Sequence, residues 1–115
     1  KKIKLVITTD HGTIRVSKGH KIVGDKTTNT NMRYKVGKNL GFDASNYLME
    51  VKKPEKIFLP KVNMSDAYVF VGDELFFVYP NNYQKFVQMF KDTFQHGGIS
   101  MEEMLIPFII LEPNK

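Results

Sequence analysis

The chain has 115 residues, 17 basic and 12 acidic side chains for a formal net charge of +5, 42% hydrophobic residues and no cysteine. That is too apolar for a disordered segment and enough for one buried core, hardly two, so one domain or part of one is expected. The lack of cysteine excludes a disulfide scaffold, a thiolate metal site and a cysteine nucleophile, which leaves any metal chemistry to histidine and carboxylate.

No apolar run approaches the roughly 20 residues needed to span a bilayer. Lys1-Lys2-Ile3-Lys4 leads into a strand-like stretch rather than a signal sequence, so a soluble, cytoplasmic protein is expected. The chain does not begin with methionine, and a piece of something longer is expected. Charge is divided unevenly: residues 1–61 carry 14 basic and 5 acidic side chains, a net of +9, and residues 62–115 carry 3 and 7, a net of −4. The basic part either draws an anionic substrate or nucleic acid, or is a solvated lysine face. The lysines are scattered and no nucleic-acid module signature accompanies them.

In chain order, Ile3-Lys4-Leu5-Val6-Ile7-Thr8-Thr9 is a β-branched apolar run that stops at Asp10-His11-Gly12, the pattern of a buried strand ending in a tight loop. Residues 15–39 are polar and rich in glycine, threonine and asparagine, with weak strand signals at 14–16, 21–23 and 34–36, and read as a small hairpin insertion. Asp43 is placed to cap a short helix over 44–49 that must end before Pro54. The runs 67–71 and 75–79 flank Gly72-Asp73-Glu74 and predict a β-hairpin. After Pro80, the spacing of Tyr83, Phe86, Val87, Phe90 and Phe94 predicts an amphipathic helix whose aromatic stripe belongs to the core. Ser100 and Glu103 have the spacing of a capping box, so a short helix starts at Ser100 and Pro107 stops it. Residues 108–111 read as a last buried strand. The sum is mixed α/β, with too few strands to complete the sheet that the first one needs.

Asp10 and His11 sit together at a strand end, before a glycine without side-chain bulk. A carboxylate and an imidazole there can reach one divalent cation, since zinc takes O and N ligands at about 2.0–2.2 Å. A turn in which Asp10 bonds the backbone is the other reading. His96 precedes Gly97-Gly98, where close approach of another group is allowed, and reads either as a ligand or as a cation at a helix end. His20 reads as a surface residue, and Glu102 and Glu103 as capping and helix-forming residues. Ser17, Thr27, Thr28 and Ser45 have no base at a recognisable spacing, so no nucleophile is assigned. There is no phosphate-binding loop and no dinucleotide fingerprint.

Together, Thr8-Thr9-Asp10-His11-Gly12 and Phe94-Gln95-His96-Gly97-Gly98-Ile99-Ser100-Met101-Glu102-Glu103-Met104-Leu105-Ile106-Pro107 resemble the PglZ family of the alkaline phosphatase superfamily, in its carboxyl-terminal part. Within it the chain is most similar to the end of response regulators of the PorX type, in which a receiver domain precedes the PglZ domain and which serve type IX secretion. The resemblance implies a partial alkaline-phosphatase-like sheet with flanking helices, and a two-metal site in which Asp10 and His11 bind one metal and His96 the other. It implies zinc, with manganese acceptable to such N/O ligands. The nucleophilic threonine and the remaining ligands match nothing in these 115 residues and are expected before Lys1. The implied activity is hydrolysis of a phosphoester, of phosphodiester or nucleotide type, by the parent protein and not by this stretch alone. The competing expectation is a non-catalytic signalling module that contacts protein or nucleic acid; a dimer through an unpaired sheet edge is a further one.

Overall fold

The computed structural model describes residues 2–114. Ten strands and two helices follow in order: β1 (Leu5–Thr8), β2 (Ile14–Arg15), β3 (Lys18–Val23), β4 (Tyr34–Gly37), β5 (Gly41–Phe42), β6 (Leu48–Val51), β7 (Ala67–Val71), β8 (Leu75–Val78), α1 (Tyr83–Phe90), β9 (Phe94–Gln95), α2 (Met101–Met104) and β10 (Phe108–Leu111). A single 3-10 turn, Pro54–Ile57, separates β6 from β7. No helix of the described residues is long and apolar enough to cross a membrane. The architecture is mixed α/β, several small sheets with few helices, in keeping with a partial alkaline-phosphatase-like fold.

The core is layered about β8, whose four residues are all buried. Because side chains alternate across a strand, Leu75 and Phe77 face one way and pack with Ile22, Val69 and Val71. Phe76 and Val78 face the other way and pack with Val16 and the Tyr83, Phe86, Val87 and Phe90 stripe of α1. The sheet β5-β3-β8 therefore lies between the sheet β4-β7-β6 and α1. Within it β3 runs parallel to β8, Lys18 opposite Leu75, and antiparallel to β5.

Several expectations are corrected. The runs 67–71 and 75–79 are strands but not a hairpin: β7 pairs with β4 and β6, while β8 pairs with β3. Both strands are apolar on both faces, so each needs a layer on either side, and the short Gly72-Asp73-Glu74 connection carries the chain from one sheet to the next. Residues 15–39 are not a small hairpin either, since β3 and β4 pair with β8 and β7 rather than with each other. Val16, Ile22, Arg33 and Lys35 are buried in the core.

No helix spans 44–49. A turn at Ser45, whose hydroxyl accepts from Tyr47 N at 3.2 Å, leads into β6, where Leu48 packs on the core. Tertiary pairing with β7 overrides local helix preference there. Phe94 lies outside α1: Asp92 adopts a left-handed conformation, φ 63°, the helix ends, and Phe94 falls in β9 with 67% of its surface exposed.

The first and last strands do form, paired antiparallel with Leu5 opposite Leu111 and Thr8 opposite Phe108. They are not buried, because among the described residues they pair only with each other and no layer covers either face. The radius of gyration, 17.8 Å, exceeds the roughly 13 Å of a compact chain of this length. Such a two-stranded arm, apolar on both faces, accords with that excess.

Candidate metal centre

Two antiparallel ladders bring the motifs together. The stretch β1, Asp10-His11-Gly12, β2 runs against the stretch β9, His96-Gly97-Gly98, α2, β10, with β1 on β10 and β2 on β9. Each motif is thus the loop between two paired strands of its own arm. Across the gap, the Thr8 hydroxyl donates to Pro107 O at 2.8 Å and Gly12 N donates to Glu103 O at 2.9 Å. A Cβ at Gly12 would lie 1.9 Å from Glu102 O, so only glycine permits the loop to close on α2.

The result is contact between the two histidines. The His11 and His96 rings stack with centroids 3.9 Å apart and planes 12° from parallel. His11 Nδ1 is 2.8 Å from Gly12 O, which can only accept, so in the neutral ring the proton sits on Nδ1 and the Nε2 lone pair is free. That Nε2 lies 3.6 Å from Asp10 Oδ1. Asp10 is exposed, His11 half-buried and His96 exposed, so the three face an accessible surface.

Both loops hang on Glu103. The capping box is present: Ser100 Oγ accepts from Glu103 N, and the Glu103 carboxylate accepts from Ser100 N. The same carboxylate accepts from Gly98 N at 3.0 Å and Ser100 Oγ at 2.7 Å. It also receives Arg33, Nε on Oε1 at 2.9 Å and Nη2 on Oε2 at 3.0 Å, while Arg33 Nη1 donates to Leu75 O. Arg33 is fully buried and Glu103 nearly so. Burial pushes the Glu103 carboxyl up, but the bonds from Arg33 and Ser100, the guanidinium charge and Gly98 N outweigh it and hold it below the ordinary carboxylate range. Asn31 finishes the frame, its Nδ2 donating to His96 O at 3.2 Å and its Oδ1 accepting from Arg33 N at 2.7 Å. Gly97, at φ 96°, presses against the Asn31 amide, which a Cβ would meet at 2.5 Å.

The structure thus brings Asp10, His11 and His96 together and leaves His20 elsewhere, with Nε2 3.1 Å from Asp43 O and its ring edge-on to Phe77. Sequence reasoning missed Asn31 and Arg33 and saw only the capping half of Glu103. The signal for Arg33 was strand alternation: residues 33 and 35 share a face of β4 and its approach, and a cation facing a core needs a carboxylate.

The donor set suits divalent cations. A free imidazole nitrogen beside a carboxylate, with the other ring nitrogen bonded to a backbone carbonyl, is the usual arrangement of a ligating histidine. Rings so nearly parallel do not aim their in-plane nitrogens at one point, so His11 and His96 do not share a single ion as placed. Among the described residues no group of three or more histidine, aspartate or glutamate side chains is arranged to hold an ion by itself.

The fold is consistent with part of an alkaline-phosphatase-like domain. Residues 1–111 match the family described as the BREX system PglZ alkaline phosphatase-like domain, and the chain belongs to that family, which is of phosphoesterase type. Comparison with curated proteins finds no match.

Proposed function

We propose that the chain is the carboxyl-terminal part of a two-metal phosphoesterase domain, acting on phosphodiester or nucleotide-type anions, whose Asp10 and His11 hold one cation and His96 the other. The observation that carries this is the stacked pair. With centroids 3.9 Å apart, the two imidazoles are close enough to serve neighbouring ions, and paired metals act on phosphoryl groups when roughly 3.5–4 Å apart. Zinc, or manganese in its place, supplies positive charge for the nucleophile and leaving oxygen when bound.

The chain's own residues do the placing. Gly12 N on Glu103 O and Nδ1 of His11 on Gly12 O fix the plane of the first imidazole. Asn31, Gly98 N and the Glu103 carboxylate fix the loop that bears the second. The net charge of +9 over residues 1–61 favours approach of an anion. The threonine nucleophile and the remaining ligands belong, in this reading, to residues before Lys1, and the parent is a cytoplasmic response regulator of the PorX type with a receiver domain ahead of the PglZ domain.

Hydrolysis of bis(p-nitrophenyl) phosphate by the parent protein in added zinc or manganese tests the proposal. His96→Ala is expected to abolish turnover with the far-ultraviolet dichroism unchanged, and undiminished turnover overturns it. A parent that binds oligonucleotide with a steep salt dependence and never cleaves it is instead a non-catalytic binding module.

A further inference from the structure

Arg33 and Lys35 lie two residues apart on the buried side of the β4 segment, 0% and 2% exposed, yet among the described residues only one is matched by a carboxylate. Arg33 has Glu103. Among the described residues the Lys35 ammonium has a single hydrogen bond, to Asn29 O at 2.9 Å, and lies 4.8 Å from the centre of the Tyr79 ring. Neither contact cancels a charge. Asp25, the acidic group felt by the Tyr79 phenol, is exposed and makes its hydrogen bonds with Thr27 and Thr28, not with Lys35.

Beside Lys35 is a cavity of about 200 Å³, lined among others by Met32, Phe77, Tyr79, Phe86 and Phe90. It is bounded by residues 30–35, β8 with Tyr79 just beyond it, and α1, and has none of Asp10, His11, His96 or Glu103 in its wall. Buried charges in proteins are normally paired, because an unpaired one loses its hydration with nothing in return. An apolar cavity with one unmatched cation in its wall has the chemistry of a site for a molecule that is apolar at one end and anionic at the other. The volume is below the roughly 300–1,000 Å³ of sites for drug-sized molecules, so the occupant is small.

We propose that this cavity binds a small monocarboxylate with an apolar tail, the carboxylate on Lys35 Nζ and the tail among Met32, Phe77, Phe86 and Phe90. The site is separate from the histidine pair and stands whether or not the parent hydrolyses phosphoesters. Burial lowers the Lys35 pKa to about 8, so at neutral pH the ammonium is the main form and available to an anion.

Calorimetric or nuclear magnetic resonance titration with hexanoate and, separately, hexan-1-ol at pH 7 tests the proposal. Hexanoate is expected to bind at least tenfold more tightly and to shift the Phe77, Phe86 and Phe90 resonances. In Lys35→Met, which keeps the length and removes the charge, that preference is expected to vanish. Equal affinity for acid and alcohol in the unaltered protein overturns the proposal, as does the absence of binding by both. The unaltered protein decides the matter even if the variant folds poorly.

Discussion

Arg33 and Glu103 form a two-pronged ion pair, 2.9 and 3.0 Å, almost wholly shielded from water. It joins the start of β4 to the cap of α2, and through that cap to both histidine loops. The Glu103 backbone carbonyl holds Gly12 and its carboxylate holds Gly98, so one residue sets the height of His11 and of His96 together.

Removing one member of this pair leaves a buried charge alone. Arg33→Met is expected to cost about 3–5 kcal/mol in urea denaturation, the usual loss for breaking a buried pair from one side. The double variant Arg33→Met with Glu103→Gln is expected to lose clearly less than the sum of the two single changes, because the second change removes the stranded charge. Strict additivity would mean that the pair is not coupled.

Gly12→Ala forces a Cβ to within 1.9 Å of Glu102 O, and backbone cannot yield as a side-chain end does. The loop should retreat from α2 and unstack His11 from His96. The expected readout is a fall in zinc affinity of about 10–100-fold, the range seen when support of a ligating histidine is lost. Gly41→Ala, whose Cβ would meet Val23 at an ordinary 3.7 Å, is the control and should bind zinc as the unaltered chain does.

Some local elements were legible in the sequence, though the helix expected over 44–49 is not among them. The α1 stripe is visible because a helix must bury every third or fourth residue, and the Ser100–Glu103 cap because its geometry is set within one turn. The convergence of Asp10 and His11 with His96 was legible only through family resemblance, since nothing local says that β1 pairs with β10. Pairing partners were misjudged where two strands sit next to each other in sequence: proximity suggested a hairpin at 67–79, but double-sided apolarity demanded two different sheets. Arg33 and Lys35 were hidden because the polar stretch reads as a small hairpin insertion, and the carboxylate that makes burial of Arg33 tolerable comes from far along the chain.

Stability should respond to pH from both ends. The Glu103 carboxyl is held below its ordinary 4.5, so its contribution is complete above that value and is lost as the pH falls through the lowered one. Lys35 acts oppositely. With its pKa moved from 10.5 to about 8, the unfolded chain binds the extra proton between those values, so stability is lowest below about pH 8 and rises as the pH climbs. The gain should be on the order of 1–3 kcal/mol. Above about pH 10 the Tyr68 and Tyr79 phenols, which burial keeps protonated, begin to work against folding. Melting curves at pH 7, 8, 9 and 10 should rise in the unaltered chain and lie flat in Lys35→Met; parallel curves contradict the assignment.

The positions of the cations are the most direct test of the paired-metal assignment. Crystals of the parent protein soaked in zinc, measured on either side of the zinc absorption edge, are predicted to show two anomalous peaks roughly 3.5–4 Å apart, one against Asp10 and His11 and the other against His96. A single peak shared by both imidazoles, or zinc bound away from all three side chains, contradicts it.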